Sequence, residues 1–129
     1  MRDISSKVGT NAGKIWSTLE KKGCLSKEEI LEMARLKEDE FNIAIGWLAR
    51  ENKIAKEEER YKLDSTNLES YIGTYAGKVW KILDTWQDVD FESILRLSDL
   101  PEEEVHYAIG WLACEDKIVI DENNRFTLK

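Results

Sequence analysis

One proline, one histidine and two cysteines stand in the 129 residues of this chain. His106, Cys24 and Cys114 lie too far apart to give any metal-ligand spacing, so no metal is expected. Two unmatched thiols do not make a disulfide framework and point to a reducing cytoplasm. No run of about 18 apolar residues is present, so no membrane helix is expected. The first residues, "MRDISSKVGT", lack the apolar core of a signal peptide, and nothing in them suggests export. There is no nucleophile–base–acid set, no identifiable pair of inward carboxylates and no cofactor fingerprint. An enzyme therefore has no residue-level support, and neither does a small-molecule cofactor.

Positive charge is also scarce, but unevenly. The net charge is −7, a sign that repels nucleic acid and favours solubility. Residues 1–64 hold 13 basic and 13 acidic side chains, whereas residues 65–129 hold 6 and 13. The whole imbalance thus falls on the second half, and any contact with nucleic acid belongs to the first.

The halves are copies. Shifted by 64 positions, "GTNAGKIW" lies over "GTYAGKVW" and "AIGWLARENKI" over "AIGWLACEDKI". About 23 of 52 aligned positions between residues 8 and 59 are identical, far above chance for a self-comparison. The repeat is too long for most solenoid units and reads as a small domain, giving units at 1–64 and 65–129. The seam near "LDSTNLES" is short and polar without a flexible Gly/Ser linker, so the units are expected to touch.

Each unit reads as three helices and a hairpin. Val8, Ala12, Ile15, Trp16 and Leu19 fall at helical spacing, repeated by Ile72, Ala76, Val79, Trp80 and Leu83. "TNLE" at 66–69 has a capping-box spacing and predicts the start of the second unit's first helix. "SKEE" at 26–29 is another box, before Ile30, Leu31, Met33 and Ala34; Asp90 takes that place before Ile94, Leu95 and Leu97. Pro101 marks the start of the second unit's third helix. The third helices have inner stripes Phe41, Ala44, Ile45, Leu48 and Val105, Ala108, Ile109, Leu112, and they end near Arg50 and Cys114. "KIAKEEERYKL" and "KIVIDENNRFTL" have β-capable ends around polar turns. The fold class is α+β, mainly α: two tandem winged helix-turn-helix units.

The stretches "EEEVHYAIGWLACEDKI" and "EDEFNIAIGWLARENKI", with "AGKVW" and "AGKIW" upstream, resemble a family of small prokaryotic winged helix-turn-helix domains of unknown function. The match covers nearly the whole chain, twice. The resemblance implies the fold; the family has no established activity to carry over.

"GTNAGK" invites comparison with a phosphate-binding loop. Only three residues separate Gly9 from Gly13, Ile15 follows Lys14, and no apolar strand precedes them, so the cradle and its magnesium-binding hydroxyl are missing. A helix-interior glycine costs about 1 kcal/mol against alanine. Its presence in both units, as Gly13 and Gly77, predicts close approach by another segment, either the unit's own third helix or the other unit's first.

A DNA-reading winged helix inserts its third helix into the major groove and lays its wing on phosphate. Here the third helices open with "KEDE" and "PEEE", and the wings carry "KEEER" and "DENNR". Carboxylates also suit the positive end of a helix dipole. The outer face of the third helix presents Asn42, Ile43, Gly46 and Arg50, and then His106, Tyr107, Gly110 and Cys114. An apolar residue beside a bare glycine suits a protein contact better than base readout. Trp47 and Trp111 border this face, either packed on the hairpin or open to a partner. His106 reads as a surface or half-buried residue, with no partner to tune it. A protein partner, or a second copy of the chain, is therefore expected ahead of DNA. The alternative is a transcription-regulator-like protein touching DNA through Lys14, Arg50, Lys53 and Lys56, side chains that can equally well solvate helix faces.

Overall fold

The computed structural model describes residues 4–121 and 123–129. The first repeat runs α1 (Ile4–Lys22), β1 (Leu25–Ser26), α2 (Lys27–Ala34), α3 (Glu38–Arg50), β2 (Ile54–Glu57) and β3 (Arg60–Leu63). The second repeats the order as α4 (Glu69–Trp86), β4 (Val89–Asp90), α5 (Phe91–Ser98), α6 (Glu102–Cys114), β5 (Ile118–Ile120) and β6 (Arg125–Leu128). Each repeat closes with an antiparallel sheet in which the last strand is central, ordered β1-β3-β2 and β4-β6-β5. Leu25 pairs with Tyr61, and Val89 with Phe126. This is the winged helix-turn-helix arrangement, mainly helical. The two-residue strands β1 and β4 are additions to the expected hairpin, too short to leave a period-2 pattern.

Local chemistry sets most boundaries. At α2 the Ser26 hydroxyl accepts from the Glu29 backbone N–H at 3.2 Å, and Glu29 Oε1 accepts from the Ser26 N–H at 2.9 Å, a reciprocal capping box. Those bonds hold the Glu29 carboxyl below its usual range. Asp90 caps α5 by accepting from the Ser93 N–H at 2.8 Å. At α3, Glu40 Oε1 accepts from the Lys37 N–H at 2.9 Å. The third helices end at Arg50 and Cys114, where left-handed Asn52 (φ 61) and Asp116 (φ 58) turn the chain toward the wing. The "TNLE" expectation needs correction. Leu68 is the N-cap of α4 and has no side-chain cap bond; the Thr66 hydroxyl instead accepts from the Leu68 N–H at 3.1 Å, before the helix begins.

The inner stripes are buried as the spacing requires. Phe41, Ala44, Ile45 and Leu48 face α1 and the sheet of their repeat, with Phe41 edge-on to Tyr61 at 5.3 Å. Burying one such large side chain contributes about 1.5–3 kcal/mol. The second repeat builds the equivalent core from Val79, Leu83, Ile94, Val105, Ile109, Leu112 and Phe126. Four residues placed on inner faces by spacing are more open than that. Trp16 and Trp80 are 38% and 39% exposed, and Met33 and Leu97 are 48% and 40% exposed. They lie at the edges of their helical stripes, where period alone does not separate a core position from a rim.

The cores are not independent. Ile72 of α4 belongs to the first, and Ile43 of α3 packs on the second. Trp47 and Trp111 pack against both. The most extensive helix pairing joins the repeats, α3 against α6.

Candidate functional site

The α3–α6 crossing is set by two glycines. A Cβ on Gly46 would stand 1.9 Å from the Tyr107 carbonyl oxygen, and one on Gly110 would stand 1.6 Å from the Ile43 carbonyl oxygen. Real Cβ atoms essentially never come within 3.0 Å of such a neighbour. The helices therefore meet backbone to backbone, and only glycine permits it. Each glycine touches the residue one turn before the other, so the repeats are related by an approximate two-fold axis through the crossing.

All eight residues of the outer third-helix face gather here. Gly46, Gly110, Asn42 and His106 are buried; Ile43, Tyr107 and Cys114 are half-buried; Arg50 is exposed at the rim. The surface assigned from the sequence to a partner is covered by the other repeat. Arg50 Nε donates to Glu115 Oε2 at 3.1 Å, and its guanidinium lies 5.7 Å from the centre of the Trp111 ring. Tyr107 donates its hydroxyl to Glu103. Burial pushes the Tyr61 hydroxyl up to about 12, and raises Tyr107 as well. Burial also pushes the Cys114 thiol up to about 11, so it stays protonated at neutral pH. His106 stacks on Phe91 with ring centres 4.7 Å apart, and desolvation lowers its pKa.

Of the four residues considered for nucleic-acid contact, three are engaged within the chain. Arg50 is engaged across the crossing, Lys53 pairs with Glu51 at 3.7 Å, and Lys56 lies 5.6 Å from the centre of the Tyr61 ring. Lys14 stands exposed on α1. The wings likewise turn their basic residues back on their own repeats. Arg60 donates to the Cys24 carbonyl at 2.7 Å, and Arg125 donates to both Asp88 Oδ1 and the Asp88 carbonyl, at 2.7 and 2.9 Å.

The glycines of the opening motif divide. Gly9 lies under the Trp47 indole, where a Cβ would stand 3.4 Å from its Cζ2; Gly73 lies under Trp111 in the same way, at 3.6 Å. The two tryptophans thus seat against α1 and α4, whereas one reading of the sequence placed them on the hairpin. Gly13 and Gly77, expected to admit a close neighbour, face open space with nothing within 4 Å of a Cβ. Beside Gly13 an open groove of about 460 Å³ is lined by Gly9, Trp16, Trp47, Glu51 and Lys53. Nothing in the spacing signals that the gap is vacant, because a helix-interior glycine looks the same whether its neighbour is present or absent.

Among the described residues no His, Cys, Asp or Glu cluster is arranged to hold a metal ion, and no helix is long and apolar enough to cross a membrane. Both cysteines are free thiols.

The chain is similar to the uncharacterised protein MJ1608 of Methanocaldococcus jannaschii, 43% identical over 56 residues, which are 42% of this chain and 80% of that relative. The match is thus about the length of one repeat. No solved structure matches. The family model for the winged helix-turn-helix domain (DUF2582) matches twice, over residues 1–67 and 67–128. With the same element order in both halves and a wing closing each, the chain belongs to the winged helix-turn-helix domain family (DUF2582), in two tandem copies.

Proposed function

We propose that this chain is a non-enzymatic protein-binding module of the reducing cytoplasm, a pre-assembled pair of winged helices whose partner face is the outer side of α1 and α4. One observation carries the reading: the Gly46–Gly110 crossing sets the two groove-entering helices face to face inside the molecule. A helix read by DNA must present its outer side to base edges. Here that side is backbone-tight against its own copy, and exposing it would break the contact that joins the cores.

What remains outside is mostly polar, but it carries one duplicated pair. Gly13 with Trp16 on α1, and Gly77 with Trp80 on α4, form the same pair at the same spacing. Each glycine lowers helix stability by about 1 kcal/mol relative to alanine, with no compensating contact within the chain. A bare helix turn beside a tryptophan edge gives a side chain of another protein a seat, and tryptophan is the residue type enriched at contact centres. In the first repeat that seat opens into the groove rimmed by Glu51 and Lys53.

The test compares two assays on the full chain. Duplex binding is measured by fluorescence anisotropy at low ionic strength, and association by light scattering together with capture from cell extract. The reading predicts no duplex binding, and capture or self-association that is lost in the Trp16→Ala, Trp80→Ala double variant. Tight, salt-dependent duplex binding abolished by Arg50→Glu with Lys53→Glu would instead establish the DNA-binding alternative.

A further inference from the structure

Most of the non-conservative differences between α1 and α4 lie on one flank. Beside the buried stripe, positions 7, 11, 18 and 22 of α1 and 71, 75, 82 and 86 of α4 share one line at helical spacing. α1 carries Lys7, Asn11, Thr18 and Lys22 there, whereas α4 carries Tyr71, Tyr75, Ile82 and Trp86. Polar residues in one copy thus stand where the other has aromatic and aliphatic ones. Tyr71 is 61% and Trp86 58% exposed, the most open large hydrophobic side chains among the described residues. Tyr75 and Ile82 lie between them, half-buried. The face runs about 22 Å along the helix.

Charge indicates what covers it. α1 holds four lysines against one glutamate, Glu20. Lys7 approaches Glu40 only to 4.0 Å, and Lys14, Lys21 and Lys22 have no ion pair among the described residues. The second repeat, which bears Tyr71 and Trp86, carries the whole acidic excess, 13 carboxylates against 6 basic groups. Because the helices are copies, Lys7 and Lys22 have the same separation as Tyr71 and Trp86. An α1 helix laid along α4 therefore brings an ammonium to the ring at each end. Within one chain both rings remain exposed, so the lysines come from another copy.

We propose that the Tyr71–Trp86 face of α4 is a docking surface for the lysine flank of α1 in a second copy of this chain. An ammonium over an exposed aromatic ring is favourable, and the lysine methylenes cover the apolar surface beside it. Lys14 and Lys78 are the one like-charge pair brought near the middle, a small opposing effect between exposed groups. A single helix pair falls at the small end of protein interfaces, under about 1,200 Å², so the association is reversible and shows at high protein concentration. The contact joins two different surfaces, α1 to α4, so it either closes into a ring or extends. It lies across the buried stripe from Gly13–Trp16 and Gly77–Trp80, so either face can fail alone.

The experiment is sedimentation velocity on the full chain up to about 0.5 mM, where a pair with a Kd of roughly 0.1 mM is mostly associated. Two double variants are compared with the parent. Tyr71→Lys with Trp86→Lys gives α4 the residues that α1 has at those positions, and Lys7→Ala with Lys22→Ala removes the cations. All four positions are exposed, so both variants should keep the parent's circular dichroism. The parent should associate, and each variant alone should lose at least about tenfold in affinity. An equimolar mixture of the two variants should associate again as a 1:1 pair, because one keeps the lysine flank and the other the aromatic face. Trp16→Ala with Trp80→Ala should leave association unchanged. A parent that stays monomeric at that concentration overturns the proposal and leaves the aromatic face to a different protein. A mixture that does not recover association overturns it too, and so does loss of association in the Trp16, Trp80 variant, which would assign the contact to the glycine–tryptophan face.

Discussion

Replacing Gly110 with alanine is expected to separate the two repeats. The new Cβ would meet the Ile43 carbonyl oxygen at 1.6 Å, and reaching even 3.0 Å requires the helices to part by about 1.4 Å. Neither side can yield cheaply, since the clash is with backbone and not with the end of a flexible side chain. Over-packing of this kind costs typically about 1–3 kcal/mol, and the upper end applies where a backbone must move. Alanine recovers about 1 kcal/mol through helix propensity. The net expectation is a loss of about 1–2 kcal/mol, a fall in Tm of roughly 4–8 °C for a chain of this size. Gly46→Ala, with its Cβ 1.9 Å from the Tyr107 oxygen, should behave alike. The opposite sign is expected at Gly13 and Gly77, where a Cβ meets nothing and alanine should stabilise by about 0.5–1 kcal/mol. Thermal unfolding followed by far-UV circular dichroism reads all four variants. A Gly110→Ala protein as stable as the parent would show that the crossing does not hold the chain together.

Ser26→Ala removes a cap whose hydroxyl accepts from Glu29, and should lower stability by about 1 kcal/mol in urea denaturation without changing the m-value. Desolvation lowers the His106 pKa below its ordinary 6.5, although Asp39, Glu102 and Glu38 pull the other way. The unfolded chain therefore binds a proton that the folded chain resists, so this part of the stability is intact above pH 6.5 and is lost as pH falls below it. His106→Asn, matching the equivalent Asn42, should flatten the pH dependence of unfolding in that window. Arg50→Ala removes an exposed pair with Glu115 and a ring contact with Trp111; unfolding should register less than about 1 kcal/mol, as for other surface pairs.

The helices were legible because their cores are narrow. Phe41, Ala44, Ile45 and Leu48 repeat at helical spacing and are all buried, and the Ser26 and Asp90 caps are written in local chemistry. The eight residues read from spacing as the outer face of the third helices lie at the α3–α6 crossing. What the spacing could not convey is that two copies of a face with a central glycine fit each other. Gly46 and Gly110 read as a shallow surface for a partner, and the partner that covers them is already in the chain. The signal was available in principle: a glycine at the same outer position of both copies, flanked by Ile43 or Tyr107, is what a self-complementary crossing needs. Trp16 differs: it sits one step from buried Ile15, and period alone does not separate the two.

Since the central claim is that α3 and α6 touch through their glycines, it is tested most directly by proton–proton NOE spectroscopy of the folded chain. The Cβ direction of Gly46 points within 3.0 Å of the Trp111 backbone nitrogen, and that of Gly110 within 2.9 Å of the Trp47 nitrogen. Strong cross-peaks between a Gly46 Hα and the Trp111 amide, and between a Gly110 Hα and the Trp47 amide, are the predicted result. Their absence in a chain that still shows the Phe41–Tyr61 and Val89–Phe126 contacts of two folded repeats would mean that the third helices stand open, and DNA would return as the leading partner.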